Sequence, residues 1–229
     1  MLTKEERNTL YKLCDETHIM IAGTTGSGKS VFINNLLCAL TSYPTDSQRL
    51  VLIDLKRVEL SRWEDDPHVL RSITEPEDVN KTLDWLIDVM EKRYRAMKKK
   101  RLVKSQEYYI TVVIDELAEV MRVKGAEARI DTLLRLARAS NIQLIMATQN
   151  PSRTSGIPAR IFQNVSCCVG LRCKTAIESR QIIGLKGCEE LPRYGKAYIS
   201  NPDGLFLVDV PIATKEDFNI THEAWYSIA

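Results

Sequence analysis

A glycine-rich segment near the amino terminus has the residue types and spacing of a phosphate-binding loop. It reads GTTGSGKS, residues 23–30, and fits the pattern G-x-x-x-x-G-K-[ST]. Its glycines let successive backbone N–H groups turn toward phosphate oxygens, and the helix that follows adds its positive end. Lys29 is predicted to reach the β- and γ-phosphates, and the Ser30 hydroxyl to ligate Mg²⁺. The predicted nucleotide-binding residues are Gly23, Thr24, Thr25, Gly26, Ser27, Gly28, Lys29, Ser30 and Val31.

Two neighbouring carboxylates follow a second apolar segment, in TVVIDELAEV. Asp115 is predicted to hold the Mg²⁺ shell, and Glu116 to accept a proton from the attacking water. The metal would neutralise one of the two charges, so that the carboxylates can lie side by side. The alternative is that Glu116 only begins a solvated loop.

A third polar position closes the segment LIMATQ, at Thr148 and Gln149. At the end of a strand beside the first one, Gln149 is predicted to touch the γ-phosphate or its water; the alternative is a side chain that faces the surface. Guanine recognition needs N-K-x-D, and the nearest string, NKTLD, is one residue too long and falls in a predicted helix. A small-molecule kinase usually lacks a glutamate base after the strand. The predicted ligands are therefore ATP and Mg²⁺.

These residues require elements that bring them together, and the chain alternates short apolar strands with helical patterns. Such alternation indicates an α/β fold with a mostly parallel central sheet flanked by helices. KAYIS, the turn NPDG and LFLVDV predict a C-terminal β-hairpin. A stripe of apolar residues spaced three or four apart predicts one long helix over residues 76–100. Strands are predicted at 18–22, 49–54, 109–115, 142–149 and 165–171, and the other helices at 29–40 and 126–139.

Size and composition set the limits of the interpretation. The chain has 229 residues, and 44% are hydrophobic, enough for one large domain. We expect a single domain over residues 1–229, with a short N-terminal extension (1–16), a core (17–212) and a C-terminal tail (213–229). The net charge of +2 gives no global argument for a nucleic-acid partner. No apolar run is long enough to span a bilayer, and the N-terminus lacks the apolar core of a signal peptide. The six cysteines lack the spacing of a metal site and are expected to be reduced thiols. A cytoplasmic location is therefore expected.

Several blocks together resemble the FtsK/SpoIIIE family of ATP-driven DNA translocases. They are AGTTGSGKSVFINNLL, LIDLKRVELSRWED, VVIDELAEVM and LARASNIQLIMATQNPS, with weaker similarity in IPARI, IESRQIIG and GCEELPRYGKAYIS. In the second block, Leu55 stands where the family usually has proline. The resemblance covers residues 18–200 and implies a RecA-like P-loop motor core.

The same resemblance implies a homo-oligomeric ring, usually a hexamer, that passes double-stranded DNA through its pore and binds ATP between subunits. Arg138 matches the family's arginine finger, which would complete the site of the adjacent subunit, and Arg180 is a second candidate. The alternative for either residue is a surface salt bridge. Arg153 and Arg160 are the expected DNA contacts, because the family's pore loops start after ATQ.

Other features leave the cargo open. The segments before VVIDE and after ATQ are shorter than in the family, which suggests an excised or minimal motor, or a shortened relative from a mobile element or phage. Eight basic residues crowd positions 92–104. They could neutralise DNA phosphates, but the preferred interpretation is a solvated helix end. Two other hypotheses are a coupling or secretion ATPase that moves protein or a protein–DNA complex, and a nucleotide-gated assembly module that hardly hydrolyses ATP.

Overall fold

The computed structural model describes residues 2–149 and 156–218. Its central sheet has eight strands in the order β3-β2-β4-β5-β1-β6-β7-β8. The pairs from β3 across to β6 are parallel, whereas β6–β7 and β7–β8 are antiparallel. The strands are β1 (His18–Ala22), β2 (Gln48–Ile53), β3 (Val69–Ile73), β4 (Tyr109–Ile114), β5 (Ile142–Thr148), β6 (Cys167–Gly170), β7 (Lys196–Asn201) and β8 (Gly204–Asp209).

The helices cover both faces of this sheet. The longest, α3, begins with a proline in its first turn, where the missing N–H costs no hydrogen bond, and ends in three lysines that complement the helix dipole. Together with the parallel pairings, this confirms the predicted α/β fold and its C-terminal hairpin. The helices are α1 (Lys4–Cys14), α2 (Lys29–Leu40), α3 (Pro76–Lys100), α4 (Leu117–Met121), α5 (Ala126–Leu136), α6 (Ala159–Gln163) and α7 (Ala176–Ile183).

Two large apolar clusters lie on opposite faces of the sheet, because successive residues of a strand point to opposite faces. On β1, Ile19 and Ile21 belong to the cluster under α1 and α2, while Met20 belongs to the cluster under α3 and α5. All five residues of β1 are buried. The strand that leads into the phosphate loop is therefore fixed from both sides.

The structure differs from the sequence prediction at several elements. Strand β3 and helices α1, α4, α6 and α7 were not predicted. The helix predicted over 126–139 ends at Leu136, after which Arg138–Ser140 form a separate 3₁₀ turn. The strand predicted over 165–171 is limited to Cys167–Gly170. Helix α1, from the predicted extension, contacts α2, and Phe218, from the predicted tail, stacks edge-on against Tyr11 of α1. The described parts of both segments thus join the core cluster of α2.

Candidate nucleotide site

The predicted phosphate loop lies at the carboxyl edge of the sheet, beside the ends of two neighbouring strands. Ala22, the last residue of β1, is in register with Thr148 of β5 and Gly170 of β6. The Gly23 N–H donates to the Thr148 carbonyl (3.3 Å), and both the N–H and the hydroxyl of Thr24 donate to the Arg172 carbonyl (2.9 and 3.1 Å). These bonds fix the base of the loop to β5 on one side and to the segment after β6 on the other.

Glycine is required at two positions of this loop for different reasons. A Cβ on Gly23 would lie 2.5 Å from Ser27 Oγ and 2.7 Å from Leu171 Cβ, so a larger residue does not fit. Gly28 has φ +94° at the start of α2, a conformation that other residues rarely adopt. Within the described residues, the N–H groups of Thr25, Gly26 and Gly28 donate to no protein acceptor. They are therefore available to an anion at the positive end of α2.

Lys29 and Asp115 meet beneath the loop. The Lys29 ammonium donates to the Asp115 backbone carbonyl (3.1 Å) and lies 3.5 Å from carboxylate oxygen Oδ1. Burial raises the pKa of Asp115 above its ordinary value, and the nearby Lys29 charge partly opposes that shift. Oδ1 is buried and accepts no hydrogen bond from the described residues. An oxygen of this kind, with the half-buried Ser30 hydroxyl at the start of α2, is a donor set that suits Mg²⁺.

Glu116 is the centre of a small polar network. Its two carboxylate oxygens accept from the Gln149 backbone N–H (3.3 and 3.2 Å), and Oε2 lies 3.5 Å from the Lys56 ammonium. The Gln149 side-chain oxygen in turn accepts from the Thr25 hydroxyl (2.9 Å). The phosphate loop, Glu116 and Gln149 are therefore joined in one hydrogen-bonded network, although they are distant in sequence. Only 7% of the Glu116 side chain is exposed, against 40% for Lys56, so water reaches the pair from the lysine side.

Sequence reasoning missed the segment that brings Lys56 to Glu116. The buried Asp54 carboxylate, just after β2, accepts five backbone N–H bonds from residues 56–60. Such a cluster of bonds fixes a tight turn, in which Arg57 takes a positive φ of 60°. The block LIDLKRVEL contained these residues, but its spacing alone did not assign Asp54 a partner. An aspartate directly after an apolar strand was the available signal.

Three of the four arginines predicted from the family resemblance are described by the structure, and none of these three contacts the phosphate loop, Glu116 or Gln149. Arg138 is exposed in the 3₁₀ turn before β5, which places it at the sheet edge opposite the phosphate loop, and Arg180 is exposed on α7. Arg160, on α6, forms an ion pair with Glu127 and lies 4.0 Å from Asp131, both on α5. Its charge is thus engaged within the chain. Arg153 lies outside the described residues.

The basic run of residues 92–104 divides into two kinds of side chain. Arg93 is buried, donates to the carbonyls of Ser140 (2.6 Å) and Asn141 (3.4 Å), and lies over the Tyr108 ring. Its role is therefore structural. Lysines 98–100 are exposed in the last turn of α3, where cations complement the negative end of the helix dipole.

In this mostly parallel sheet, the glycine loop follows β1, the two acids follow β4, and Gln149 follows β5, which lies between those two strands. This arrangement defines a P-loop ATPase. In the described part of the chain, no helix is both long and apolar enough to cross a bilayer.

Comparison with known proteins places this ATPase in a family. The sequence model of the FtsK/SpoIIIE family matches residues 3–108. The chain is 36% identical over 219 residues to the DNA translocase FtsK of Helicobacter pylori (strain J99), a match that covers 87% of this chain and 26% of the relative. It is 35% identical over 222 residues to the DNA translocase FtsK of Tropheryma whipplei, covering 86% and 29%. The chain belongs to the FtsK/SpoIIIE family, and it spans about a quarter of the length of these relatives.

Solved structures confirm the fold. TcpA, the conjugation coupling protein of pCW3, solved in monomer form with ATPγS, has a TM-score of 0.78 at 25% identity, over 95% of this chain and 66% of that chain. The cytoplasmic domain of the Thermomonospora curvata type VII secretion ATPase EccC has a TM-score of 0.72 at 23% identity, over 87% and 26%.

Proposed function

We propose that this chain hydrolyses Mg²⁺-bound ATP to move double-stranded DNA, and that it works as one subunit of a hexameric ring. The observation that carries the proposal is the meeting of the phosphate loop with Glu116 and Gln149, in a chain whose curated relatives are DNA translocases. ATP hydrolysis at a subunit boundary would shift the elements that hold DNA.

The phosphate loop, residues 23–31, binds the triphosphate through its free backbone N–H groups and the positive end of α2. Lys29 then turns from Asp115 toward the β- and γ-phosphates. Ser30 and Asp115 hold Mg²⁺, as the buried and unbonded Asp115 oxygen supports. When bound, Mg²⁺ supplies positive charge that offsets the negative charge on the phosphates.

Glu116 accepts the proton of the attacking water, and Gln149 orients that water. The Glu116 carboxylate is already held by the Gln149 N–H, and the Lys56 ion pair is the contact that must loosen for water to enter. Glu116→Gln keeps the size and an acceptor oxygen but removes the base. We expect it to bind ATP normally and to lose on the order of 10²–10⁴ in turnover.

The matched control is Glu119→Gln, because Glu119 lies one turn further along and pairs with Arg122 at 3.0 Å, away from the Glu116 network. Steady-state ATPase rates and ATP affinity should be measured for both variants. Wild-type turnover in Glu116→Gln would show that another group accepts the proton.

Arg138 acts on the ATP of a neighbouring subunit. It precedes β5, whereas Gln149 follows it, so the length of a seven-residue strand, roughly 20 Å, separates Arg138 from its own ATP site. A guanidinium supplied by a neighbour would support charge that develops on the γ-phosphate.

This arrangement can be tested by mixing two inactive variants, Lys29→Ala and Arg138→Ala. In a mixed ring, about a quarter of the boundaries would join an intact phosphate loop to an intact arginine. Recovery of ATPase activity on mixing is expected, and absence of recovery in rings shown to contain both variants would exclude the trans role.

Duplex DNA is the proposed cargo, with Arg153 as the remaining candidate contact, since Arg160 is paired with α5. The ATPase rate of the assembled ring should rise with duplex DNA, and Arg153→Ala should reduce that rise and its salt dependence. Arg160→Ala serves as the matched control, for which we expect a smaller loss. An assembled ring whose turnover ignores duplex DNA would exclude DNA as the cargo.

A coupling or secretion ATPase is the second candidate function. It is supported by the likeness to the conjugation coupling protein TcpA, which extends over nearly the whole chain. Such an ATPase would move a protein or a protein–DNA complex. Capture of a specific protein substrate, together with no affinity for duplex DNA at low salt, would favour it over a DNA translocase.

A further inference from the structure

An arginine from the segment before β7, Arg193, lies against the phosphate loop. Arg193 belongs to the short segment between the 3₁₀ turn Cys188–Glu190 and β7. A Cβ placed on Gly26 would lie 3.1 Å from Nη2 of Arg193 and 3.7 Å from its Nε. The edge of the guanidinium group, which carries its N–H donors, is therefore next to the loop residue whose own N–H is free.

The segment that carries Arg193 is held at both ends. Leu191, 5% exposed, packs in the small apolar cluster with Ile182 and Cys188. After Arg193, the Gly195 carbonyl accepts from the Val210 N–H at 2.9 Å, which extends the β7–β8 pairing. Arg193 thus projects from a fixed support, and not from a free loop.

The Arg193 charge has no counter-ion in the described residues. Its guanidinium forms no ion pair or hydrogen bond there, and its Cζ lies 5.1 Å from the centre of the neighbouring Tyr194 ring. An aromatic face beside a guanidinium limits its motion and leaves the N–H edge free. An exposed arginine with unused donors next to an anion-binding loop is suited to a phosphate group.

The order of the strands indicates which phosphate this is. Glu116 and Gln149 follow β4 and β5, on one side of the phosphate loop, whereas Arg193 precedes β7, on the other side. Because the water-activating groups mark the γ-phosphate end, the nucleoside end of the triphosphate must point toward β6 and β7. We propose that Arg193 binds the α-phosphate of the nucleotide held by its own subunit, an assignment that rests on the nucleotide site proposed above.

The test compares two nucleotides that share an α-phosphate but differ at the γ position. ATPγS and ADP are titrated by calorimetry, with Mg²⁺, at a protein concentration where the chain is monomeric. Arg193→Ala is expected to weaken both ligands by a similar factor, roughly tenfold to a hundredfold, as for the loss of a charge-assisted hydrogen bond. In the ATPase assay, KM should rise while kcat stays within about twofold, because the contact is the same before and during the reaction.

Two further variants make the result specific. Arg193→Lys keeps the charge but loses the planar fork, and an intermediate affinity is expected. Lys186→Ala removes an exposed charge from the same stretch of chain, near Glu189, and should leave both affinities unchanged. Melting temperatures without nucleotide check that all the variants are folded.

The outcomes separate this assignment from the nucleotide site itself. Equal affinities for wild type and Arg193→Ala would overturn the Arg193 assignment alone. A variant that binds ATPγS more weakly but ADP with unchanged affinity would also overturn it, because that result would indicate a contact to the γ-phosphate. Failure of the wild-type chain to bind either nucleotide would overturn the proposed nucleotide site.

Discussion

Replacing Asp54 is expected to loosen the turn that carries Lys56 to Glu116. The Asp54 carboxylate is 4% exposed and accepts five backbone N–H bonds of 2.9–3.1 Å from residues 56–60. Oxygen Oδ1 takes two of them and Oδ2 takes three. One side chain thus satisfies most of the backbone donors of the turn, so its loss should have a large effect on the free energy of unfolding.

The size of the effect follows from which donors water can reach. Three of the five donors belong to exposed residues, and water can replace the carboxylate there at a cost of roughly 0.5–1.5 kcal/mol each. The Glu59 and Leu60 donors are less accessible, and an unsatisfied buried donor costs roughly 1–3 kcal/mol. Because the turn can relax, we expect the lower part of the combined range, about 3.5–5 kcal/mol for Asp54→Ala. Asp54→Asn keeps one acceptor oxygen and should cost about 1–2 kcal/mol.

Urea unfolding of the wild type and both variants measures these differences. Asp65→Ala is the matched control, since Asp65 is an exposed acid a few residues further along that forms no hydrogen bond or ion pair among the described residues. It should change the free energy of unfolding by less than about 0.5 kcal/mol. A loss below about 1 kcal/mol for Asp54→Ala, or an equal loss for Asp54→Asn, would show that the five bonds do not stabilise the turn as argued.

Three other perturbations test separate parts of the structure. Arg93→Ala should lower the free energy of unfolding by about 2 kcal/mol in urea, because it removes the hydrogen-bond donor of the buried Ser140 carbonyl, whereas the Asn141 carbonyl still accepts from the Ile110 N–H. Lys99→Ala should not change the free energy of unfolding, and equal effects of the two variants would contradict the structural role of Arg93. Burial lowers the pKa of His18 to about 4, so the folded protein holds this imidazole neutral. The free energy of unfolding is therefore unaffected by His18 above pH 6.5 and falls by about 3 kcal/mol as the pH falls toward 4. Urea unfolding at pH 7 and pH 4 should show a smaller loss for His18→Gln than for the wild type, and parallel losses would refute the assignment. Lys56→Ala frees Glu116 from a partly exposed ion pair, so ATP turnover without DNA should rise by no more than about fivefold, and less at high salt; a slower variant would mean that Lys56 assists the reaction.

The elements that carry the phosphate loop were predictable because their signals are local. Strand β1 and helices α2 and α3 have the predicted bounds, since apolar periodicity, the glycine loop and Pro76 mark them directly. Strand β3 was missed because it pairs with β2 alone and exposes Arg71 and Ser72, so it has no continuous apolar run. Helix α1 was missed although Thr3 and Glu6 form a capping box that the sequence displays.

The outer parts of the site depend on contacts that no local pattern contains. Lys56 approaches Glu116 only because β2 and β4 are neighbours in the sheet. Arg193 approaches Gly26 only because β6 and β7 lie next to β1 in the order of strands across the sheet. Arg93 was grouped with a basic run because a buried arginine and a solvated one look alike in sequence. The carboxylates that pair with Arg160 lie on another helix, so its predicted freedom to contact DNA could not be checked from its neighbours in sequence.

In the proposed ring, β5 would belong to two ATP sites at once. Arg138 lies four residues before the strand begins and would reach the neighbour's nucleotide, while Gln149 directly follows the strand and contacts Glu116 in its own subunit. All seven residues of β5 are buried, and the strand is hydrogen-bonded to β4 and β1 on either side. A close-packed strand with two bonded neighbours moves as a unit, because bending it would break buried hydrogen bonds. A change at the neighbour's γ-phosphate that displaced Arg138 would therefore either shift Gln149 relative to Glu116 or be opposed by the packing of the sheet. In both cases the state of one ATP site affects the next, so successive sites would not react independently.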